Sequence, residues 1–218
     1  MIIAVNKPSG PTSFDIVQMV RSVTGEKKVG HAGTLDPFAE GVLVLGIGRV
    51  STRQLGRISG TDKDYLATLR LGTATSTGDV EGLITEEAPV PHLTHDKIKT
   101  ILRMFTGKQK QIPPMFSAKK VKGTRLYKLA RQNLEVQRAP VEIVIYKLKL
   151  LDYANDEITF SLTCSKGTYI RQLGMDIAKA LGTMGHLTTL VRTRVGDYTL
   201  DNAIPLVDID KLCSFTEA

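Results

Sequence analysis

The chain has 218 residues, 42% of them apolar and 23% charged, and carries a net charge of +7. No apolar run reaches the ~18 residues of a membrane span, and the start, MIIAVNKPSG, lacks the basic-then-apolar form of a secretory signal. Cys164 and Cys213 are too far apart for a zinc or redox motif and read as small buried hydrophobes in a reducing cytoplasm.

In chain order, TSFDIVQMVRSVTG (12–25) predicts a helix, with Ser13 as N-cap, Phe14, Ile16, Val17, Val20 and Val23 as its apolar positions, and Gly25 as its stop. VLVLGIG (42–48) is a short continuous apolar run, the pattern of a strand buried on both faces. DYLATLRLG (64–72) predicts a further strand. HDKIKTILRMFTG (95–107) sets Ile98, Ile101, Leu102 and Phe105 at helical spacing and stops at Gly107. Residues 108–140 show weak periodicity, three prolines and much charge, and predict a long loop with one short helix around Leu126 to Arg131. VEIVIYKLKLL (141–151) and the strictly alternating ITFSLTCS (158–165) predict two strands. YIRQLGMDIAKALG (169–182) predicts a helix on Ile170, Leu173, Ile177 and Leu181. Strands and helices interleave without a regular βαβ beat. The expected fold is therefore α+β: a mixed, mainly antiparallel central sheet flanked by helices, with a long basic loop.

The charge is concentrated. Between Arg103 and Arg138 the chain has ten Lys or Arg and one acid, Glu135. A basic island on a balanced protein marks either a polyanion site or a solvated Lys-rich face. GIGRVSTRQLG lacks the spacing of a phosphate loop, no serine sits in a GxSxG elbow, and His92 and His95 have no third ligand type nearby, so no metal site is expected. GHAGTLDPFAEGVLVL (30–45) places Asp36 among aliphatics, where a carboxylate costs several kcal/mol to desolvate unless it is paired. Taken alone, Asp36 before Pro37 is a turn residue. SKGTYIRQL (165–173) puts Tyr169 and Arg171 where a strand feeds a helix. An arginine is the natural group to keep a buried carboxylate ionised, and a tyrosine can lie against a planar ligand. Tyr65 opens another strand in a similar way.

Six blocks in order resemble the tRNA pseudouridine synthase B family: NKPSGPTSFDIV, GHAGTLDPFAEGVL, DKDYLATLRLGTATSTGDVEG, QIPPMFSAKKVKGTRLYKLAR, SKGTYIRQLGMDIAKALG and HLTTLVRTRVGDY, together spanning roughly residues 3 to 210. The resemblance implies the pseudouridine synthase catalytic fold over residues 1–212, with an RNA-clasping thumb at about 108–140. It implies that Asp36 is the catalytic aspartate, that Tyr65 stacks on the target uracil, and that Arg171 pairs with the catalytic carboxylate. By the same resemblance His31 helps hold the unstacked loop, Tyr169 and Leu190 belong to the pocket, and Lys7 with Pro8 supports the active-site loop. The thumb residues Lys119, Lys120, Lys122 and Arg125 are expected to meet RNA phosphates.

The implied reaction converts uridine 55 in the T-loop of tRNA to pseudouridine, in the cytoplasm, by a monomer that needs no cofactor, guide RNA or protein partner. Arg53 departs from the family's usual Lys. The family's usual C-terminal PUA-type domain has no counterpart in the short tail 213–218. Three rivals are an RNA-binding protein without chemistry, a carboxylate glycosidase using Glu40 as the second acid, and a guide-RNA-dependent synthase.

Overall fold

The computed structural model describes residues 1–121, 123–130, 132 and 134–215, with side chains through residue 212 at the C-terminal end. The chain opens with β1 (Ile2–Lys7), α1 (Ser13–Thr24), β2 (Val29–His31), β3 (Glu40–Ile47) and α2 (Arg49–Ser59). It continues through β4 (Lys63–Leu71), a hairpin of β5 (Thr73–Thr75) and β6 (Ile84–Glu87), α3 (His95–Met104) and β7 (Gly107–Gln111). Next come β8 (Lys120–Val121), β9 (Thr124–Arg125), α4 (Leu126–Ala130), β10 (Val141–Ala154), β11 (Glu157–Cys164) and α5 (Ile170–Ala180). The last part holds β12 (Gly185–Val195), β13 (Tyr198–Thr199), a 3-10 turn, β14 (Ile204–Pro205) and a 3-10 segment, Leu206–Phe215. Among the described residues no helix is long and apolar enough to cross a membrane.

Two compact units result, Met1–Leu66 with Leu190–Ala218, and Ala67–Thr189; β4 and β12 each contribute residues to both. In the first unit β1 pairs antiparallel with β3 and parallel with β14, while β3 pairs parallel with β12 through Val191↔Glu40 and Arg192↔Gly41. The sheet is therefore mixed. Alternation along β3 explains its continuous apolar run. Leu43, Leu45 and Ile47 join Ile16, Val17 and Val20 of α1 in one core, whereas Val42 and Val44 join Leu55 of α2 in another. Each such side chain contributes roughly 1.5–3 kcal/mol of burial.

Helix α1 starts one residue earlier in the capping sense than the sequence suggests. Thr12 is the N-cap, in a box with Asp15, and Ser13 is already helical and turned inward. That frees the Ser13 hydroxyl for another task. The predicted stop holds: Gly25 takes the left-handed conformation at φ 66°.

In the second unit β10 pairs antiparallel with both β11 and β7. Asn155 and Asp156, at φ 52° and 59°, make the two-residue turn that suits a right-twisted hairpin. Ile158, Phe160, Leu162 and Cys164 are all buried, as their alternation requires. The loop expected from residue 108 begins later, because Gly107–Gln111 forms β7 on β10. Its short helix runs Leu126–Ala130, and Arg131 lies outside the described residues.

Candidate active site

In the first unit the chain leaves β2 at His31 and enters β3 at Glu40. The intervening turn carries Asp36, with the N–H of Ala39 donating to the carbonyl of Asp36 at 3.1 Å. Pro37 fits this turn because its ring presets φ. Leu35, Phe38 and Ala39 are buried, while Asp36 itself is half-buried.

The turn is held along its whole length by other segments of the same unit. Arg192 of β12 donates from Nη2 to Gly33 O and from Nη1 to Thr34 O, each at 3.2 Å, and from Nε to Val42 O at 2.8 Å. Ser13 of α1 clasps Leu35 from both sides: its hydroxyl donates to Leu35 O at 2.9 Å and accepts from Leu35 N–H at 2.8 Å. Lys7, fully buried at the end of β1, donates to Pro37 O at 3.0 Å and to Pro8 O at 2.8 Å. The Gly10 N–H donates to Pro37 O as well, at 2.9 Å. His31 Nδ1 accepts from Gly33 N–H at 3.3 Å. Tyr65 on β4 and Leu190 on β12 are both buried.

The second unit places Tyr169 at the N-cap of α5, where a side-chain amide replaces a backbone partner. Gln111 accepts from Tyr169 N–H at 2.8 Å and donates to Tyr169 O at 3.0 Å. Arg171 is buried. It donates to Thr77 O at 2.6 Å and to Phe116 O at 2.8 Å, and its Nε lies 3.4 Å from Asp79 Oδ2. The Asp79 carboxylate also receives Thr77 Oγ1 and the Glu81 N–H. Arg171 thus ties α5 to the segment Thr77–Glu81 and to the root of the basic thumb.

The thumb is folded. Lys120 pairs with Arg125 across β8 and β9, Leu126 is fully buried beneath them, and Leu126 N–H donates to Lys119 O at 2.8 Å. Lys120 and Arg125 are exposed and Lys119 half-buried, which keeps their charges available. Lys122 lies outside the described residues.

The sequence reading named Asp36, His31, Lys7, Tyr65 and Leu190, and all lie in the first unit; Arg171, Tyr169 and the thumb lie in the second. It missed Arg192, took Ser13 only as a cap, and did not single out Asp79 or Gln111. Arg192 is buried in β12 two residues after Leu190, a burial of charge that only the folded strand reveals.

The profile of the TruB family of pseudouridylate synthases, N-terminal domain, matches residues 21–170. The tRNA pseudouridine synthase B of Hydrogenovibrio crunogenus is 46% identical over 209 residues, covering 96% of this chain and 69% of that protein. Its namesake in Protochlamydia amoebophila is 45% identical over 203 residues, covering 93% and 77%. That of Geotalea uraniireducens is 46% identical over 206 residues, covering 94% and 66%. Among solved structures, a chain of a Cbf5-Nop10-Gar1 complex superposes with a TM-score of 0.77 at 27% identity, over 99% of this chain and 55% of that one. The chain spans about two thirds of the curated relatives' length, 66–77%, and about half of the solved chain, 55%.

Proposed function

The chain belongs to the TruB family of pseudouridylate synthases, and from that membership we infer that it isomerises a uridine of tRNA to pseudouridine, at position 55 in the T-loop, without a guide RNA or a protein partner. The observation that carries the catalytic assignment is the multiple clasp on the Asp36 turn. A single half-buried carboxylate on a turn bound by Arg192, Ser13, Lys7 and Gly10 is a reactive group held in place before substrate arrives.

The reaction breaks the N1–C1′ bond, turns the base and joins C5 to C1′. The proton lost from C5 is balanced by one gained at N1. Electrons balance within the substrate, so neither a redox cofactor nor a Lewis acid is required. Asp36 starts the cleavage, either by adding to C1′ or by taking the C2′ proton. The aliphatic residues around it limit water that would hydrolyse the cleaved sugar. Flipping the uridine out of its loop costs a few kcal/mol. Stacking on Tyr65 returns roughly 1–3 kcal/mol, and a donor hydrogen bond from His31 adds to it. Leu190, Tyr169 and Arg171 keep the binding and catalytic roles that the family resemblance implies. Lys119, Lys120 and Arg125 neutralise phosphates and supply most of the affinity.

The test incubates the chain alone with an unmodified tRNA transcript and maps pseudouridine by carbodiimide-dependent reverse-transcription stops. A stop reporting position 55 supports the reading. Binding without any such stop returns the chain to the RNA-binding rival, and a requirement for added guide RNA to the guided one.

A further inference from the structure

We propose that Arg192 is a positioning residue for the turn that bears Asp36, a role that rests on the reading of Asp36 as the reacting carboxylate. Arg192 is only 2% exposed. A buried cation is costly unless its donors are satisfied, and the usual partner is an acid. Among the described residues Arg192 has none: its three donors go to the backbone carbonyls of Gly33, Thr34 and Val42.

The direction of those bonds matters. Val42 is fully buried in β3, which is fixed by β1 on one side and β12 on the other. Gly33 and Thr34 form the incoming limb of the turn. Arg192 therefore bolts that limb to the sheet, while Lys7 and Gly10 hold the outgoing limb at Pro37 and Ser13 holds Leu35 between them. The planar fork holds three carbonyls in one fixed geometry; a lysine ammonium also has three donors but is a compact point on a flexible stem.

Arg194, two residues on, provides an internal control. It makes a two-pronged bond to Asp64, at 2.7 and 2.9 Å, and is partly exposed. That is an ordinary structural ion pair, and it does not touch the Asp36 turn.

The experiment uses the full chain with unmodified tRNA transcript and compares Arg192→Lys, Arg192→Met and Arg194→Lys with the parent and with Asp36→Asn. Turnover at saturating tRNA, KM, tRNA affinity and hydrogen exchange are read for each. Displacing a reacting group by about 1 Å costs roughly a hundredfold. Arg192→Lys is expected to lower kcat by about that factor, with KM and tRNA affinity within about threefold of the parent. Faster exchange should be confined to residues 32–39, and Arg194→Lys should retain turnover within about threefold. Arg192→Met should fall at least as far, and it keeps the test open should the lysine variant not fold. Parent-like turnover in Arg192→Lys would overturn the proposal. So would faster exchange throughout the chain, or failure of both Arg192 variants to fold, either of which makes Arg192 a residue of the fold alone. A parent without turnover, or an active Asp36→Asn, defeats instead the reading of Asp36 on which the proposal rests.

Discussion

Arg171 and Asp79 form a buried ion pair inside the second unit, Nε to Oδ2 at 3.4 Å with the side chains 5% and 3% exposed. The carboxylate does not depend on Arg171 alone, since Thr77 and Glu81 also donate to it. Removing Asp79 breaks this buried pair and takes away the acceptor of Thr77 Oγ1 and of the Glu81 N–H. Asp79→Ala should cost about 3–5 kcal/mol in a urea titration. Arg171→Lys keeps a charge but loses the fork that reaches Thr77 O and Phe116 O, so turnover should fall strongly while tRNA affinity changes modestly. A variant that loses affinity alone would make Arg171 a phosphate contact.

Asp36→Asn should abolish isomerisation and leave tRNA binding largely intact. The amide is nearly isosteric but is neither nucleophile nor base. Pseudouridine formation within about tenfold of the parent rate would remove Asp36 from the mechanism.

Gly41→Ala should destabilise the first unit by at least about 2 kcal/mol. Gly41 sits at φ 103°, and a Cβ there would collide with the backbone carbonyl of Arg192, its partner across β3 and β12. Thermal unfolding measures the loss. A variant that melts with the parent would show that this strand contact has slack.

The Thr12 hydroxyl, followed by its backbone N–H, holds the Asp15 carboxyl below the usual carboxylate range. A depressed carboxyl stabilises the fold above its unfolded pKa of about 3.9, and that contribution is lost as pH falls through the folded value. Asp15→Asn should therefore melt below the parent at neutral pH, with the gap closing as the solution is acidified. A gap independent of pH would mean that the charge plays no part in capping α1.

Reversing Lys119 and Lys120 to Glu should weaken tRNA binding and flatten its salt dependence. Each lost phosphate contact removes a slope of about 0.7–0.9 in log K against log salt. The fold should survive, because the two side chains are half-buried and exposed while Leu126 anchors the segment. An unchanged slope would locate the main RNA clasp elsewhere.

Local pattern was readable wherever one face meets the core. The alternation at 158–165 became β11, and the unbroken apolar run at 42–48 became β3 because helices cover it on both sides. Pattern failed where burial is slight. Helix α2 buries only Ser51 and Leu55, and β7 is Gly-Lys-Gln-Lys-Gln, an edge strand whose only cue is its partner β10. At the site, Asp36 was conspicuous because its neighbours are apolar. Arg192 was not, because its bond to Val42 O joins residues 150 apart in the chain, and no local window reports a parallel pairing of that range. Ser13 was misassigned for a smaller reason: two adjacent hydroxyls, Thr12 and Ser13, compete for one capping position.

The first unit is discontinuous, with Met1–Leu66 completed only by the stretch that begins at Leu190. A ribosome therefore makes Asp36 early and Arg192 late, with the whole of the second unit in between. Contiguous units fold as they emerge. The nascent chain thus possesses its basic segment before the guanidinium that braces the Asp36 turn exists.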